Sequence, residues 1–388
     1  MAIATTLIVY FLFISLRDEI VIQNMLLSIF TLCWIYVILI IPIGKENSKF
    51  FYEKYLKWAI PIFILQASLG FIQALAGFIG NGSFDLSNGD RVEGTVHLPL
   101  AASATFANVI FTYNLMGLIL ILVPHIFNKK RELIPYLFFG VIVLIMASVV
   151  HLILFFVIAI VLSFVLHRPN FRMGGWAWKW IGRFTLIAVP ILAITLFPTN
   201  IQTARDLGPK ILKFENPKAI VYKDLFVNLP QEYPNMPYIG IGPGNFSSRA
   251  SLIGTGYYFG GFNDPIDLPL LEPKTSPATD KYIIPLWRWI SELPWSAGST
   301  LKPFSSWIST IGEFGLLVFL IIFGFIIKKV FMGIGVKNNE ERLINFSVSA
   351  FWIFFFISGF QNNYWEVPQM FLSSMFGIIV LEKLRKID

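Results

Sequence analysis

Long runs free of charge, separated by short polar segments, dominate the chain. A helix crossing about 30 Å of hydrocarbon needs roughly 20 apolar residues. The pattern predicts ten such runs, near residues 1–16, 20–43, 58–80, 100–127, 133–150, 152–166, 184–198, 306–327, 344–361 and 367–382. The expected fold is therefore an all-α integral membrane protein, with residues 1–388 forming a single polytopic domain. The first run starts at Met1 without a basic segment or small-residue cleavage site, so it is expected to be a retained span. The fifth and sixth runs meet at Ala147–His151 with no polar loop between them. That junction predicts a tight hairpin or one long stretch turned at the surface.

The polar segments fix an orientation. With the N-terminus inside, the segments beginning at Gly44, Asn128, His167, Lys328 and Glu382 carry 18 of the 30 Lys and Arg residues and 7 acidic ones. The opposite segments carry 12 basic and 15 acidic residues. Basic residues gather on the cytoplasmic side of spans, which places both termini in the cytoplasm and the other segments outside. The net charge of +7 then reflects topology, and no nucleic-acid partner is called for. Composition agrees with a membrane protein: 56% of the 388 residues are hydrophobic and only 14% charged. The single cysteine, Cys33, falls inside the second run, so a disulfide framework is excluded.

Two outer segments are longer than the rest, residues 81–99 and 199–305. The second, about a hundred residues inserted between the seventh and eighth runs, is expected to be ordered, because aromatic and aliphatic clusters recur in it and its charges are dispersed. Within it stands "YIGIGPGNFSSRA", Tyr238–Ala250. Gly240, Gly242 and Gly244 alternate there, followed by Asn245. The order G-x-G-P-G and the outer location argue against a dinucleotide loop. Glycines can turn the backbone at positive φ and expose N–H groups that receive phosphate or carboxylate. A tight turn that lets backbone pass close to a span is the other reading.

Outward-facing arginine is scarce. Arg249 follows the glycine turn, Arg288 lies between Trp287 and Trp289, and Arg91 precedes a proline-led span entry. A guanidinium grips phosphate with a two-pronged geometry that lysine lacks. The plainer accounts are an interfacial Arg288 stacked on a neighbouring tryptophan and an Arg91 paired with Asp90 or Glu93. Glu313 is the one acidic residue placed well inside a run. A carboxylate there costs roughly 2 to 4 kcal/mol, so it is expected to pair with a cation or line a wet cavity. His151 sits at the tip of the hairpin between the fifth and sixth runs. The spacings of a zinc site, a Walker loop or a serine triad are missing, so no metal or cofactor is expected.

The order of "RVEGTVHLPLAA", the large loop with "PYIGIGPGNFSSRAS", and "STIGEFGLLVFL" resembles the O-antigen polymerase and O-antigen ligase superfamily, over roughly residues 85–330. The resemblance implies a GT-C-like membrane architecture in the bacterial cytoplasmic membrane. It also implies glycosyl transfer from a polyprenyl-pyrophosphate-linked oligosaccharide on the outer side, with a flippase and chain-length regulators as partner proteins. Arg249, Arg91 and Arg288 would then stabilise the departing pyrophosphate and Glu313 or a loop carboxylate would serve the acceptor. The glycine turn with Asn245, His151, Trp287 and Trp289 would bind substrate. The family's Ser-Arg hairpin pair is Ser148-Val149 here. The His-Asn pair that ligases carry nine residues before the Glu is Phe304-Ser305, which favours polymerase over ligase. A transporter or flippase of lipid-linked sugars is the alternative of another class. It would call for ionisable or helix-breaking residues near the midplane, where the runs carry only Glu313 and scattered Asn or Gln.

Overall fold

The computed structural model describes residues 20–40, 44–81, 92–96, 107–171, 205, 209, 213, 215–266, 268–292 and 301–385. The regular structure of these residues is helical, with no strand among them. Four helices are long and apolar enough to cross a membrane: Glu46–Gly77, Ala107–Asn128, Val150–His167 and Asn339–Ser358. The chain is thus an α-helical membrane protein. The runs expected at 1–16 and 184–198, and Arg91, lie outside the described residues.

In chain order the first helices are α1 (Ile22–Ile40), α2 (Lys45–Asn81), α3 (Ala107–Asn128), α4 (Ile134–Met146) and α5 (Val150–His167). They are followed by α6 (Pro217–Lys223), α7 (Arg249–Gly254), α8 (Ile284–Ser291), α9 (Ser306–Phe314), α10 (Leu316–Phe331), α11 (Asn339–Ser358) and α12 (Pro368–Lys383). The described residues group into two compact units.

One unit takes its residues from Ile38–Asp206, Ile326–Phe355 and Gln369–Asp388. Helix α3 is its centre. Every residue from Leu115 to Pro124 is buried, as expected of a helix apolar on all sides. Small residues let neighbours approach closely: Gly70 of α2 faces Phe111 and Val143, and Gly140 of α4 faces Phe63. The outward faces are apolar. On α5, Leu154, Ile158, Leu162 and Val165 are exposed at helical spacing, and on α2 so are Trp58, Ile62, Leu65, Ile72 and Ile79. Stripes of this kind are the surface a bilayer covers.

The α4–α5 junction is a tight hairpin. Ala147–Val149 connect the two helices, with Ser148 at φ 61°. His151 lies in the first turn of α5, its ring edge-on to Phe155 at 6.4 Å. Two glutamines inside the apolar α2 hold a non-helical strap, residues 92–96. Gln73 Oε1 accepts the N–H groups of Glu93 (2.8 Å) and Gly94 (2.7 Å), and its amide donates to Gly94 O (3.1 Å). Gln66 Oε1 accepts the N–H of Thr95 at 3.0 Å. Irregular backbone beside a span needs such partners, since hydrocarbon offers none.

The other unit takes its residues from Met1–Val37, Leu207–Phe325 and Phe356–Pro368. The described residues of the segment 215–305 belong to it, and it has its own core, in which Val221, Leu225, Phe246, Ile283, Phe304 and Ile308 are buried together. Helix α6 starts at Asn216, whose side chain accepts the N–H of Lys218, with Pro217 in the first turn. It widens into a π-type turn at Asp224–Asn228, and a second such turn, Thr279–Ile283, leads into α8.

The run expected at 306–327 is broken. Helix α9 ends at Phe314, Gly315 adopts φ 90°, and α10 begins at Leu316. The cause is the glycine turn, whose backbone crosses the break. Ile241 N–H donates to Gly312 O at 2.9 Å and Gly242 N–H to Glu313 O at 3.0 Å. A Cβ on Gly315 would stand 2.6 Å from the Tyr238 carbonyl, and one on Gly240 would stand 2.1 Å from Glu313 O. Glycine at both positions is what permits the contact.

Candidate functional site

The site grows from one face of α9. Ser305, Ser309 and Glu313 recur every fourth residue, so they line a single polar stripe on a helix that otherwise buries Ile308 and Ile311. Ser305 caps the helix, its Oγ accepting the N–H of Ile308 at 3.3 Å.

Glu313 is fully buried. Its carboxylate is cradled by backbone: Oε2 accepts the N–H of Gly244 at 2.6 Å, and Oε1 accepts those of Phe246 at 3.1 Å and Ser248 at 2.9 Å. Gly242 (φ 112°) and Gly244 (φ 73°) aim these donors inward. The turn is therefore an anion nest, and the anion in it is the chain's own Glu313. Backbone N–H groups offset the burial that a cation or a wet cavity was expected to offset.

Asn245, also buried, anchors the turn. Its Oδ1 accepts the N–H of Val21 at 2.9 Å and its carbonyl accepts Ser276 Oγ at 2.5 Å. Gly244 lies so close to α1 that a Cβ there would meet Asn24 O at 2.1 Å.

The turn ends at Ser248, the cap of α7, and Arg249 is the first residue of that helix. Arg249 N–H donates to Glu366 Oε2 at 2.5 Å, and Ser309 Oγ donates to Glu366 Oε1 at 3.0 Å. Two buried carboxylates thus share one small structure made of α9, the glycine turn and the segment 359–367. Burial first, and the Glu313 charge second, push the Glu366 carboxyl up to about 8. The Arg249 guanidinium is partly exposed. It lies 5.6 Å from the Tyr258 ring centre, with Nη1 at a long 3.5 Å from Glu366 O. Its Nε is buried without a hydrogen-bond partner among the described residues.

A second group of cations stands in the same unit. Lys218 of α6 is buried, and its amine donates to the carbonyl of Gln361. Burial, reinforced by Lys302, pushes that amine down to about 7. One turn further along α6, Tyr222 Oη lies 3.4 Å from Ser305 Oγ, and the Tyr222 ring stacks on Phe360 at 5.5 Å.

The structure therefore brings Gly240, Gly242, Gly244, Asn245, Arg249 and Glu313 together. Trp287, Arg288 and Trp289 stand on α8 of the same unit. Trp287 packs into the core against Phe262 and Phe304 (5.0 and 5.7 Å), while Trp289 is exposed. Arg288 lies over Phe262, at 5.4 Å from its centre, instead of over a flanking tryptophan. His151 belongs to the unit built around α3. Sequence reasoning missed Glu366, Lys218 and Lys302 as site residues. The four-residue polar stripe on α9 was a signal for part of the site. For Glu366, in the turn between α11 and α12, the sequence offers no comparable sign. Comparison with protein-family models, curated proteins and solved structures returns no match to this chain.

Proposed function

We propose that this protein is a membrane glycosyltransferase that polymerises polyprenyl-pyrophosphate-linked oligosaccharide repeat units into a surface polysaccharide. In this reading it crosses the bacterial cytoplasmic membrane ten times in a GT-C-like arrangement, with both termini inside and the large segment outside. An acceptor hydroxyl attacks the anomeric carbon, the bond from that carbon to the pyrophosphate oxygen breaks, and the hydroxyl proton passes to a carboxylate. Negative charge gathers on the departing pyrophosphate, and a fixed cation aimed at it lowers the barrier.

The observation that carries this reading is Arg249. Its backbone is pinned by Glu366 and its guanidinium rests on Tyr258, while Nε has no partner among the described residues. A guanidinium in that state is held in place yet retains donors for phosphate oxygens. Within the same unit Arg288 is the further candidate cation, and the exposed Trp289 the candidate sugar contact. Glu313 already accepts three backbone N–H groups, so Glu366, in its ionised form, is the candidate carboxylate beside Arg249 to take the proton.

The test uses purified full-length protein in detergent with lipid-linked repeat units, following polymer length and release of pyrophosphate-linked lipid. Arg249→Ala is expected to lower the rate at least about a hundredfold, the scale of losing one charge-stabilising donor. Full activity in Arg249→Ala overturns the assignment, and a wild type that moves lipid-linked sugar without releasing the lipid is a carrier.

A further inference from the structure

The segment 359–367 holds two cationic side chains by its backbone carbonyls. Gln361 O accepts the Lys218 amine, and Glu366 O lies at 3.5 Å from the Arg249 guanidinium. Arg249 has a place in the mechanism above; Lys218 has none. Lys218 and Tyr222 are four residues apart on α6 and so share a face. Tyr222 meets Ser305, three residues beyond Lys302, and the Lys302 charge is felt at the Lys218 amine. Lys302 is partly buried and forms no ion pair among the described residues, its ammonium lying 6.0 Å from the Phe304 ring centre. Two lysines drawn together with this much burial repel one another, and an anion between them relieves the repulsion. Beside them Phe360 is 40% exposed, and its ring is backed by Tyr222. A flat aromatic surface next to a cation pair suits a sugar joined to phosphate.

We propose that Lys218 and Lys302, with Phe360, form a second phosphate–sugar subsite, which takes the pyrophosphate of a second lipid-linked glycan. This rests on the polymerase reading for the identity of the ligand, because polymerisation joins two pyrophosphate-linked chains. One of them loses its pyrophosphate and the other keeps it. Arg249 serves the first, and the lysine pair holds the second.

The experiment is direct binding to the full-length protein in detergent, with farnesyl pyrophosphate and inorganic pyrophosphate as probes and phosphatidylglycerol as competitor. Arg249→Ala serves as background, so that only the lysine subsite is read. Lys302→Ala is expected to weaken pyrophosphate binding at least tenfold and Lys302→Arg less than threefold. Phe360→Ala is expected to leave inorganic pyrophosphate binding unchanged and to raise the KM of the lipid-linked glycan in otherwise wild-type protein. Lys302 is partly exposed, so its variants are expected to fold even if Lys218→Ala does not. Absence of pyrophosphate binding, equal binding by Lys302→Ala, or displacement by phosphatidylglycerol at lower concentration than by pyrophosphate each overturns the subsite. Lysine-dependent binding in a protein that polymerises nothing upholds the subsite and removes the polymerase reading. Polymerisation that proceeds with unchanged KM in Lys302→Ala does the reverse.

Discussion

The Glu313 carboxylate accepts the backbone N–H of Gly244 at 2.6 Å, across 69 residues of sequence. This bond joins the end of α9 to the turn that starts α7, and it makes a buried carboxylate the organiser of this unit. Phe246 and Ser248 complete the cradle. Removing the carboxylate leaves three buried donors facing nothing, at about 1–3 kcal/mol each. Glu313→Ala is therefore expected to unfold this unit, seen as loss of the monodisperse peak and rapid proteolysis of the 215–292 region. Glu313→Gln retains one acceptor oxygen and is expected to fold with a lowered melting temperature. A Glu313→Ala variant as stable as wild type removes this role.

Gly244 tests the cradle from the other side. It combines φ 73° with a Cβ position 2.1 Å from Asn24 O, whereas Gly261 has φ 79° and nothing within 4 Å. Both pay the strain of a left-handed L-residue, roughly 1 kcal/mol, and only Gly244 adds overpacking of about 1–3 kcal/mol. Gly244→Ala is expected to lose clearly more thermal stability than Gly261→Ala. Equal losses in the two variants contradict the packing described.

Two groups of this unit give opposite dependences on pH. Glu366, raised to about 8 from 4.5, holds a proton in the folded state that the unfolded chain releases, so its contribution to stability falls as pH rises from 4.5 through 8. Lys218, lowered to about 7 from 10.5, binds its proton more weakly when folded, so its contribution is lost as pH falls from 10.5 through 7. The melting temperature is expected to dip near neutral pH. Glu366→Gln should flatten the acid side of the dip and Lys218→Met the alkaline side, in melting curves taken from pH 5 to 10. A profile unchanged by both substitutions counts against both shifts.

In the unit around α3, Gln73 makes three hydrogen bonds to the strap at residues 93–94. Gln73→Leu leaves those backbone groups unsatisfied and is expected to cost about 2–4 kcal/mol. Hydrogen exchange over residues 92–96 measures the release, and unaltered protection there sinks the proposal.

Arg288 is exposed, and its guanidinium lies over the Phe262 ring. Arg288→Lys keeps the charge and is expected to change stability by less than about 0.5 kcal/mol. A large loss of polymerisation in that variant, without loss of stability, would give its guanidinium a part in the chemistry.

The apolar runs alone determined that the chain is helical and membrane-embedded, because hydrocarbon leaves backbone groups no partner but their own helix. The tight hairpin at Ala147–Val149 was one of two readings left open by two runs meeting without a polar loop, and the packed helices decided it. The glycine pattern marked a backbone able to nest an anion. Which anion fills it was not legible, because Glu313 reaches Gly244 only once α9 and the turn pack side by side. The broken helix at Gly315 has the same origin: an apolar run specifies length and burial, while the break comes from a second backbone crossing it. Glu366, Lys218 and Lys302 are unremarkable in the sequence, as loop charges usually face water. Burial and proximity, which exist only in the folded chain, made a carboxylate pair of the first with Glu313 and a cation pair of the other two.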